Sequence, residues 1–390
     1  MRIVRLLFIL KKYKKKIGVI AQKFFDYPAK NIKIIGITGT SGKTSVANII
    51  AQSLNLFGGN AYVMGTFGVG KPQGPFIETG INTPDPIELQ RHLVYLKKQN
   101  CDVLVMEVSS HALMQGRVQG LVFDIAIFTN LTQDHLDYHK TMEAYGLAKE
   151  RLLTEHRVYH AVFNRDDPWA HRLYERYKNS SIICSEFSLK ECAIDLSHTQ
   201  LIGEFNQQNL LAAMTCLEIL EYPHEQFANI LPSVRAIPGR LERVYAKDLP
   251  CCIIDYAHKP DALEKALVAV RQMTQGQVFC VFGCGGDRDK SKRPLMGAIA
   301  ERYADHICLT DDNPRTENSA SILADILAGI QNKSRVRVIY NREEAILSTI
   351  ALASPNDVVL IAGKGHEDYQ IIGTEKKHCS DREIVKKIIH

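Results

Sequence analysis

The stretch GITGTSGKTSVANII (36–50) decides the fold of the first half of this chain. The apolar, β-branched run NIKIIGIT (31–38) predicts a buried strand, and the helical pattern that begins at Lys43 stops at the Gly-Gly pair 58–59. A strand, a glycine-rich turn and a Lys-Thr pair at a helix start are typical of a phosphate-binding loop. The usual G-x-x-x-x-G-K-[ST] pattern needs glycine where Ile37 stands, so this loop is a variant.

Such a loop has a definite chemistry. Backbone N–H groups at a helix start hold phosphate oxygens, Lys43 would neutralise the β/γ charge, and the Thr44 hydroxyl would ligate Mg²⁺. Glu107, at the end of the predicted strand in MEVSSHA, would supply a second hard oxygen ligand. The bland alternatives are a turn that merely needs glycines and a Glu107 engaged in an ion pair. The predicted nucleotide-binding residues of the loop are Thr38, Gly39, Thr40, Ser41, Gly42, Lys43, Thr44 and Ser45.

Strand-like and helical patterns alternate along the whole chain. Further buried strands are predicted at 101–110, 123–130, 251–256, 278–283, 306–310, 335–340 and 357–362, and helical patterns fill the gaps, for instance at 261–273 and 319–330. This alternation predicts an α/β fold with parallel sheets covered on both faces. We expect a short basic segment (1–30), a central P-loop ATP-binding domain (31–238) and a Rossmann-like α/β domain (239–390), with the boundary at Pro238-Gly239.

Composition excludes some function classes. The 390 residues carry a net charge of +5, but residues 1–33 alone carry +9, which leaves −4 on the rest of the chain. The bulk of the protein therefore lacks the charge of a nucleic-acid binder. Ten cysteines without a C-x-x-C pair favour a reduced, cytoplasmic protein with free thiols, and Cys280 and Cys284 are expected to be buried.

The chain starts with MRIVRLLFILKKYKKK (1–16). Its apolar run is too short to span a bilayer, and a lysine cluster follows where a signal peptide would have small residues. A basic amphipathic helix that rests on an anionic membrane surface is one interpretation. A solvated helix packed on the body of the protein is the other.

A second cluster follows another predicted strand. In TNLTQDHLDYH (129–139), Asn130, Asp134 and His135 come just after the strand, where ligands of open α/β sheets bind. A lone histidine is more often structural, but the Asn-x-x-x-Asp-His run favours a site.

The motifs TGTSGKT, EVSSH, NLTQDHLD and MEAYGLAK occur in the order and at spacings that resemble the Mur ligase family, over residues 31 to 388. The family comprises the ATP-dependent amide-forming enzymes of peptidoglycan precursor synthesis. The resemblance implies two Mg²⁺ ions and a carbamylated Lys149, because an ammonium would repel a cation that a carbamate can ligate. It implies the metal ligands Thr44, Glu107, His135 and Lys149, and catalytic roles for Lys43, Lys149 and His135. It also places Asn209, Arg240, Asp255 and His258 at the nucleotide.

Within the family the likeness is greatest to the branch that adds the third amino acid to UDP-N-acetylmuramoyl-L-Ala-D-Glu. The segment TDDNPRTEN (310–318) resembles the signature of members that add meso-diaminopimelate. Arg315 could grip the distal carboxylate of that substrate through two parallel N–H bonds. The amino-acid site implied by the resemblance comprises Arg288, Asp312, Asn313, Arg315, Gly363 and Glu367. The acceptor site comprises Asn82, Thr83, Ser109 and Arg117. An Asn-Pro turn that merely caps a strand is the alternative for the signature.

The resemblance implies that ATP converts the acceptor carboxylate to an acyl phosphate, which the amine then attacks. Substrates from separate domains must meet, so we expect domain closure, and we expect a monomer that binds no nucleic acid. Lys259 stands where threonine is common and Ser291 where glycine is usual.

About 30 residues precede the first strand, whereas the family has a UDP-binding domain there. The sequence therefore leaves more than one acceptor substrate in consideration. The chain could take the UDP-linked acceptor, join an amino acid to another acid, or be a non-catalytic nucleotide-binding paralogue. A dehydrogenase is disfavoured, because GCGGDR (283–288) lacks the G-x-x-G spacing.

Overall fold

The computed structural model describes residues 17–191, 194–195, 199–245 and 248–389. The chain divides into two compact units: Met1–His198 with Asn206–Val234, and Thr199–Phe205 with Arg235–His390. Most of the basic segment that the sequence singles out, residues 1–16, lies outside the described residues. Within those residues, none of the helices combines the length and the apolar character that crossing a bilayer requires.

The first unit is built on one eight-stranded sheet. Its strands are β1 Lys33–Thr38, β2 Ala61–Gly65, β3 Gly68–Gly70, β4 Phe76–Ile77, β5 Val103–Glu107, β6 Val122–Phe128, β7 Arg157–Asn164 and β8 Ile183–Phe187. They lie in the order β4-β3-β2-β5-β1-β6-β7-β8. All neighbours from β2 to β8 are parallel, and β3 is antiparallel to both β2 and β4. Because β1 lies in the middle and is buried on both faces, its sequence is a continuous apolar run.

Helices cover this sheet. They are α1 (including residues 17–24), α2 Lys43–Leu56, α3 Pro86–Lys98, α4 Ser110–Gln115, α5 Leu136–His139, α6 Met142–Thr154, α7 Pro168–Tyr177, α8 Glu204–Ile219 and α9 His224–Ile230. Side chains at the N-caps start four of them: Asp85, Ser109, Thr141 and Asp167 accept hydrogen bonds from the first turns of α3, α4, α6 and α7. Helix α2 ends just before Gly58, whose φ of 89° suits glycine.

The second unit has a six-stranded sheet and a separate hairpin. The strands are β9 Glu242–Val244, β10 Cys251–Asp255, β11 Val278–Phe282, β12 His306–Leu309, β13 Val336–Val338, β14 Val358–Ala362, β15 Tyr369–Ile372 and β16 Glu375–His378. The sheet order is β13-β12-β11-β14-β10-β9, parallel except for β9, and β15 pairs with β16. The helices are α10 Pro260–Arg271, α11 Lys292–Tyr303, α12 Ser319–Leu327, α13 Arg342–Leu352 and α14 Asp381–Ile389.

Two apolar clusters cover the two faces of the second sheet. In β14, Leu360 belongs to the cluster that packs against α10, α11 and α12, while its neighbours Val359 and Ile361 belong to the cluster that packs against α13 and α14. A buried ion pair joins the last two helices, because Arg342 on α13 donates two hydrogen bonds of 2.7 and 2.8 Å to Asp381 on α14. Arg342 also donates to the carbonyl at the end of β14.

The predicted fold class is confirmed. Each predicted strand exists, generally within two or three residues of its predicted ends, and the helices predicted at 261–273 and 319–330 are α10 and α12. Cys280 and Cys284 are buried, as predicted. The sequence analysis made no separate prediction for β2, β7 and β8. It also missed the antiparallel strands β3, β4 and β9 and the hairpin β15–β16, which are short or rich in charged residues.

Candidate functional site

The glycine-rich loop connects β1 to α2. Gly39 and Gly42 have φ angles of 143° and 84°, a region that favours glycine. A Cβ at Gly39 would lie 2.0 Å from the Thr129 hydroxyl, and one at Gly42 would lie 2.6 Å from the Asn209 side-chain oxygen. Only glycine therefore fits at these two positions, and the Asn209 side chain lies directly beside the loop.

The segment after β6 holds the loop in place. Asn130 accepts hydrogen bonds from the backbone N–H of Thr40 through its carbonyl and from that of Ser41 through its side chain, both at 2.9 Å. The Thr129 hydroxyl donates to the carbonyl of Ser41 at 2.6 Å. Asn130 thus supports the loop, which is a structural task for a residue that the sequence had marked as part of a site.

Two lysine amines meet at one carbonyl of the loop. Lys43 Nζ donates to the Gly39 oxygen at 2.8 Å and to the Thr40 oxygen at 2.9 Å. Lys149, on α6, is only 1% exposed, and its Nζ donates to the same Gly39 oxygen at 2.7 Å. Lys149 Nζ also lies 4.4 Å from the centre of the Tyr145 ring. The two lysines that the sequence analysis predicted to be catalytic therefore lie together at this carbonyl.

A buried carboxylate lies at the start of α2. Glu107, at the end of β5, is 1% exposed, and its Oε1 accepts from the Thr44 hydroxyl at 2.9 Å. The same oxygen accepts from the backbone N–H and the hydroxyl of Thr66 at 2.8 and 3.0 Å. A Cβ at Gly65 would lie 2.3 Å from this oxygen, so the strand approaches it closely. A hydroxyl and a carboxylate side by side are the hard oxygen donors that Mg²⁺ takes.

Aromatic rings surround His135. This residue has a left-handed backbone, with φ at 53°, and its ring centre lies 4.9 Å from that of His111 and 6.0 Å from that of Tyr145. His139 is buried, and its Nε2 lies 2.9 Å from the Ser110 hydroxyl. Tyr145 lies close to both Lys149 and His135, so these two predicted metal ligands are neighbours of one ring.

The predicted acceptor residues form a chain of contacts beyond the end of β5. Arg117 donates to the carbonyl of Thr83 at 2.9 Å, and the Thr83 hydroxyl donates to the Glu107 carbonyl at 3.0 Å and lies 3.4 Å from the Ser109 hydroxyl. Asn82 donates to the Thr66 hydroxyl at 2.9 Å. The structure therefore brings Thr83, Ser109 and Arg117 together, and Asn82 joins them through the residues around the Glu107 carboxylate.

In the second unit, the residues predicted at the nucleotide surround Tyr256. The Arg240 guanidinium lies 4.8 Å from the centre of this ring, and His258 Nδ1 lies 2.8 Å from the Tyr256 carbonyl. Asp255 accepts from the backbone N–H groups of Leu241 and Ala257 at 2.7 and 2.8 Å, so its carboxylate braces the turn after β10. Burial raises the pKa of Asp255 above its usual value.

The residues predicted at the amino acid lie around Glu367. The Asn313 amide donates to Glu367 Oε2 at 3.0 Å, and the fully buried Lys364 places its ammonium 3.3 Å from the same oxygen. Asp312 is buried, and a Cβ at Gly363, whose φ is 114°, would lie 2.6 Å from its carboxylate. This corner therefore collects two carboxylates that can accept hydrogen bonds from an ammonium group.

Arg315 lies between this corner and the loop after β11. Its φ is 53°, and its backbone pairs with the hairpin. The Arg315 N–H donates to the Ile371 carbonyl, and the Arg315 carbonyl accepts from the Gly373 N–H. Its guanidinium donates to the Gly286 carbonyl at 2.8 Å. Arg288 is exposed on the same loop. The two arginines thus belong to loops in direct contact.

The two departures from the family pattern fit the backbone. Ser291 has φ at −62°, which any residue adopts, and its hydroxyl donates to Asp289 at 2.6 Å. Lys259 is the N-cap residue of α10 with an extended φ of −133°. Neither side chain strains the chain.

Sequence reasoning missed several residues of these groups. Ser110 and His139 belong to the motifs EVSSH and DHLDYH, so the motifs themselves were a usable signal. Lys364 lies within GKGHEDYQ, next to the predicted Gly363. Thr66 had no such signal, because it follows a strand for which no separate prediction was made.

These features define the first unit as a P-loop α/β unit of the nucleotide-binding class. The second unit is a Rossmann-like α/β unit. The family model of the Mur ligase middle domain matches residues 37–197, and that of the Mur ligase, glutamate ligase domain matches residues 239–365. The chain belongs to the Mur ligase family. The members of this family are ATP-dependent amide ligases that generally use Mg²⁺.

Named relatives are similar over most of the chain. The UDP-N-acetylmuramoyl-L-alanyl-D-glutamate–2,6-diaminopimelate ligases of Haemophilus influenzae (strain 86-028NP) and Coxiella burnetii (strain RSA 493 / Nine Mile phase I) are both 44% identical, with 95% and 96% of this chain and 81% and 82% of theirs aligned. A solved structure of a ligase of that name has a TM-score of 0.70 at 34% identity, covering 96% of this chain and 82% of its own. The structure of a Mycobacterium tuberculosis folylpolyglutamate synthase has a TM-score of 0.73 at 17% identity and covers 92% of this chain and 95% of its own. At this low identity the likeness shows the fold alone.

The buried histidines predict a loss of stability in acid. Burial lowers the pKa of His139, His258 and His366 to about 4, so between about pH 6.5 and 4 the unfolded chain binds protons that the folded chain does not. Stability therefore falls as the pH falls through this window. In His258→Gln, we expect the urea midpoint, followed by circular dichroism, to fall less steeply than in the wild type.

The control for this experiment is a histidine whose pKa is shifted in the opposite direction. Glu383 raises the pKa of the exposed His378, so its contribution to stability is present at low pH and is lost as the pH rises. His378→Gln should not lessen the loss in acid. If the urea midpoint falls equally steeply with pH in His258→Gln and in the wild type, the lowered pKa of His258 is contradicted.

Proposed function

We propose that this protein is an ATP-dependent ligase that adds meso-diaminopimelate to UDP-N-acetylmuramoyl-L-Ala-D-Glu in peptidoglycan precursor synthesis. The observation that carries the proposal is the pairing of Asn313 with Glu367 beside Arg315. Oxygens that can accept hydrogen bonds from an ammonium group thus lie close to a guanidinium that can donate to a carboxylate. Relatives that bear the name of this activity are 44% identical over 95% of the chain. We also propose that the predicted domains 31–238 and 239–390 act as separate domains of one monomeric, cytoplasmic enzyme, because one chain carries both groups of residues.

The first unit would hold the triphosphate. Backbone N–H groups at the start of α2 would donate to phosphate oxygens, and Lys43 would place a positive charge beside them. We assign nucleotide binding to Thr38, Gly39, Thr40, Ser41, Gly42, Lys43, Thr44, Ser45 and Asn209, and in the second unit to Arg240, Asp255 and His258. The Thr44–Glu107 pair fits Mg²⁺ by the chemistry of its oxygens. Magnesium, when bound, would neutralise phosphate charge.

We assign the ligation of two magnesium ions to Thr44, Glu107, His135 and a carbamylated Lys149. The support for the modification is the position of Lys149, a lysine 1% exposed whose amine lies at the glycine-rich loop. An ammonium there would repel a divalent cation. If the amine nitrogen bonds to the carbon of CO₂ and loses one proton, the side chain ends in a carbamate with two hard oxygens.

The reaction then follows two displacements. An oxygen of the acceptor carboxylate attacks the γ-phosphorus, the bond to the bridging oxygen breaks, and ADP leaves. The amine nitrogen of the incoming amino acid attacks the acyl carbon, the bond to the phosphate oxygen breaks, and inorganic phosphate leaves as one proton is released. We assign the acceptor to Asn82, Thr83, Ser109 and Arg117. Their role is to position the acid and to place the Arg117 charge near it.

The second unit would select the amino acid. The distal head of meso-diaminopimelate carries an ammonium and a carboxylate. Asp312, Asn313, Gly363 and Glu367 would hold the ammonium and its surroundings, and Arg315 with Arg288 would hold the carboxylate. Lysine has no distal carboxylate, so both arginine guanidinium groups would lose their partner with that substrate.

We further propose that residues 1–16 contact an anionic membrane surface. The support is the charge of this segment, which has seven Lys or Arg and no acid, and the helix that follows it. On α1, Val19, Ile20 and Phe24 are 51%, 63% and 82% exposed, so exposed apolar side chains follow the basic segment in the sequence.

The amino-acid assignment predicts a specific dependence on Arg315. In a phosphate-release assay with UDP-N-acetylmuramoyl-L-Ala-D-Glu, we expect turnover with meso-diaminopimelate and little with lysine. Arg315→Met should lower kcat/KM for meso-diaminopimelate by about 10- to 100-fold, because a charge-assisted bond is lost. Arg337→Met, an exposed arginine of β13, is the matched control and should have no effect. Equal use of lysine would overturn the role of Arg315, and turnover only with another acceptor would overturn the proposed substrate.

The metal assignment predicts that Lys149→Ala abolishes turnover and that short carboxylic acids restore part of it, because they replace the carbamate oxygens. Lys43→Ala should also be inactive, but no carboxylic acid should rescue it. With ¹³C-labelled bicarbonate, the wild type should show a carbamate carbon signal that Lys149→Ala lacks. Near-normal rates in Lys149→Ala would contradict the assignment.

The membrane proposal predicts that the full chain sediments with vesicles of phosphatidylglycerol and not with vesicles of phosphatidylcholine at physiological salt. The double variant Ile20→Ser/Phe24→Ser should sediment less, because the apolar contribution to binding is gone. Ile183→Ser, a change at another exposed apolar residue, is the control. If the wild type stays in solution with both kinds of vesicle, the proposal is wrong.

A further inference from the structure

Two loops carry the two arginines that we assign to the distal carboxylate. The first, residues 285–290, follows β11 and contains Arg288, and we call it the GGDR loop. The second, residues 312–317, follows β12 and contains Arg315, and we call it the DNPR loop. Because β11 and β12 are parallel neighbours, both loops emerge at the same edge of the sheet.

Glu317 is the last residue of the DNPR loop, and it connects the two loops. Its carboxylate accepts two hydrogen bonds from the Arg293 guanidinium, at 2.8 and 2.7 Å, one on each oxygen. It also accepts from the backbone N–H of Asp287 at 3.1 Å and lies 2.8 Å from the Lys290 ammonium. Asp287 and Lys290 flank Arg288, so Glu317 holds the GGDR loop on both sides of that arginine.

Arg293 anchors this carboxylate to the helices below. Its side chain is 0% exposed and arises from the first turn of α11. The guanidinium also donates to Asp325 on α12 at 2.9 Å and to the carbonyl of Gly285 at 3.4 Å. The fork of an arginine can serve these partners at once, whereas a lysine ammonium cannot reproduce the paired geometry.

Other contacts keep the loops at one distance. The Thr316 hydroxyl donates to the Asp287 carboxylate at 2.9 Å, and the Gly286 N–H donates to the Asn313 carbonyl at 2.9 Å. A Cβ at Gly286 would lie 1.9 Å from the Pro314 carbonyl, so the backbones touch. The Arg315 guanidinium reaches across this contact to the Gly286 carbonyl. The direction of Arg315 therefore depends on where the GGDR loop lies.

We propose that the Arg293–Glu317 ion pair is a positioning pair that fixes Arg315 and Arg288 for the distal carboxylate of the incoming amino acid. Neither residue belongs to the group that we assign to the substrate. The pair acts by holding the two loops together, and it thereby favours an amino acid with a second carboxylate over lysine. This inference rests on the proposed use of meso-diaminopimelate.

Kinetics on the full chain distinguish this role from simple stabilisation. In Glu317→Gln, one oxygen becomes an amide NH₂ that cannot accept from the guanidinium, and in Arg293→Lys the charge stays but the fork is lost. For both variants we expect KM for meso-diaminopimelate to rise roughly 10-fold, with KM for ATP unchanged within about 2-fold. Asp325→Asn, which alters the other partner of Arg293 but touches neither loop, is the control and should keep the wild-type KM.

Amide hydrogen exchange supplies a second measurement that does not depend on the substrate. Residues 312–317 should exchange faster in Glu317→Gln than in the wild type, while α10 should exchange at the wild-type rate. Equal increases in KM for ATP and for meso-diaminopimelate, or wild-type kinetics, would overturn the proposal. If the wild type does not turn over meso-diaminopimelate, the proposed function fails. The loop-holding role is tested separately, because unchanged amide exchange at residues 312–317 in Glu317→Gln would refute it.

Discussion

The first unit depends on one carboxylate that is kept out of water. Glu107 is almost fully buried, and burying a charge without partners is costly. The Thr44 hydroxyl and the N–H and hydroxyl of Thr66 supply the partners, and all three converge on one oxygen. Because Thr44 is the second residue of α2, this contact ties the end of β5 to the helix that starts at the glycine-rich loop. The position of the loop and the position of the carboxylate therefore cannot vary independently.

The residues around the loop also have little freedom. Gly65 and Gly39 leave no room for a side chain, since a Cβ would meet Glu107 at one and Thr129 at the other. Lys43 and Lys149 both direct their amines at the Gly39 carbonyl. The N–H groups of Thr40 and Ser41 donate to Asn130, so these bonds also fix the course of the loop. The buried carboxylate thus helps to fix the loop at which we propose that the triphosphate binds.

Sequence reasoning succeeded where the physical signal is local. The strands β1, β5 and β6 are continuous apolar runs because helices cover both faces of the sheet, and Glu107 was found because it ends such a run. It failed where the determinant is a contact between distant segments. The hairpin β15–β16 has charged residues and an exposed second strand, and it is held by its pairing with Arg315. The burial of Lys364 likewise follows from the fold and not from its own segment.

Three of the non-glycine residues with left-handed backbones belong to the groups described above. His135, Asp287 and Arg315 all have left-handed backbones, with φ at 53°, 56° and 53°, although none is glycine. Such a conformation costs about 1 kcal/mol or more and persists only where surrounding contacts impose it. For Arg315 those contacts are the two hydrogen bonds to the hairpin, and for Asp287 they are the bonds from Thr316 and to Glu317. The hairpin contacts thus impose a strained backbone on the residue whose guanidinium donates to the Gly286 carbonyl, so Arg315 ties the hairpin to the GGDR loop.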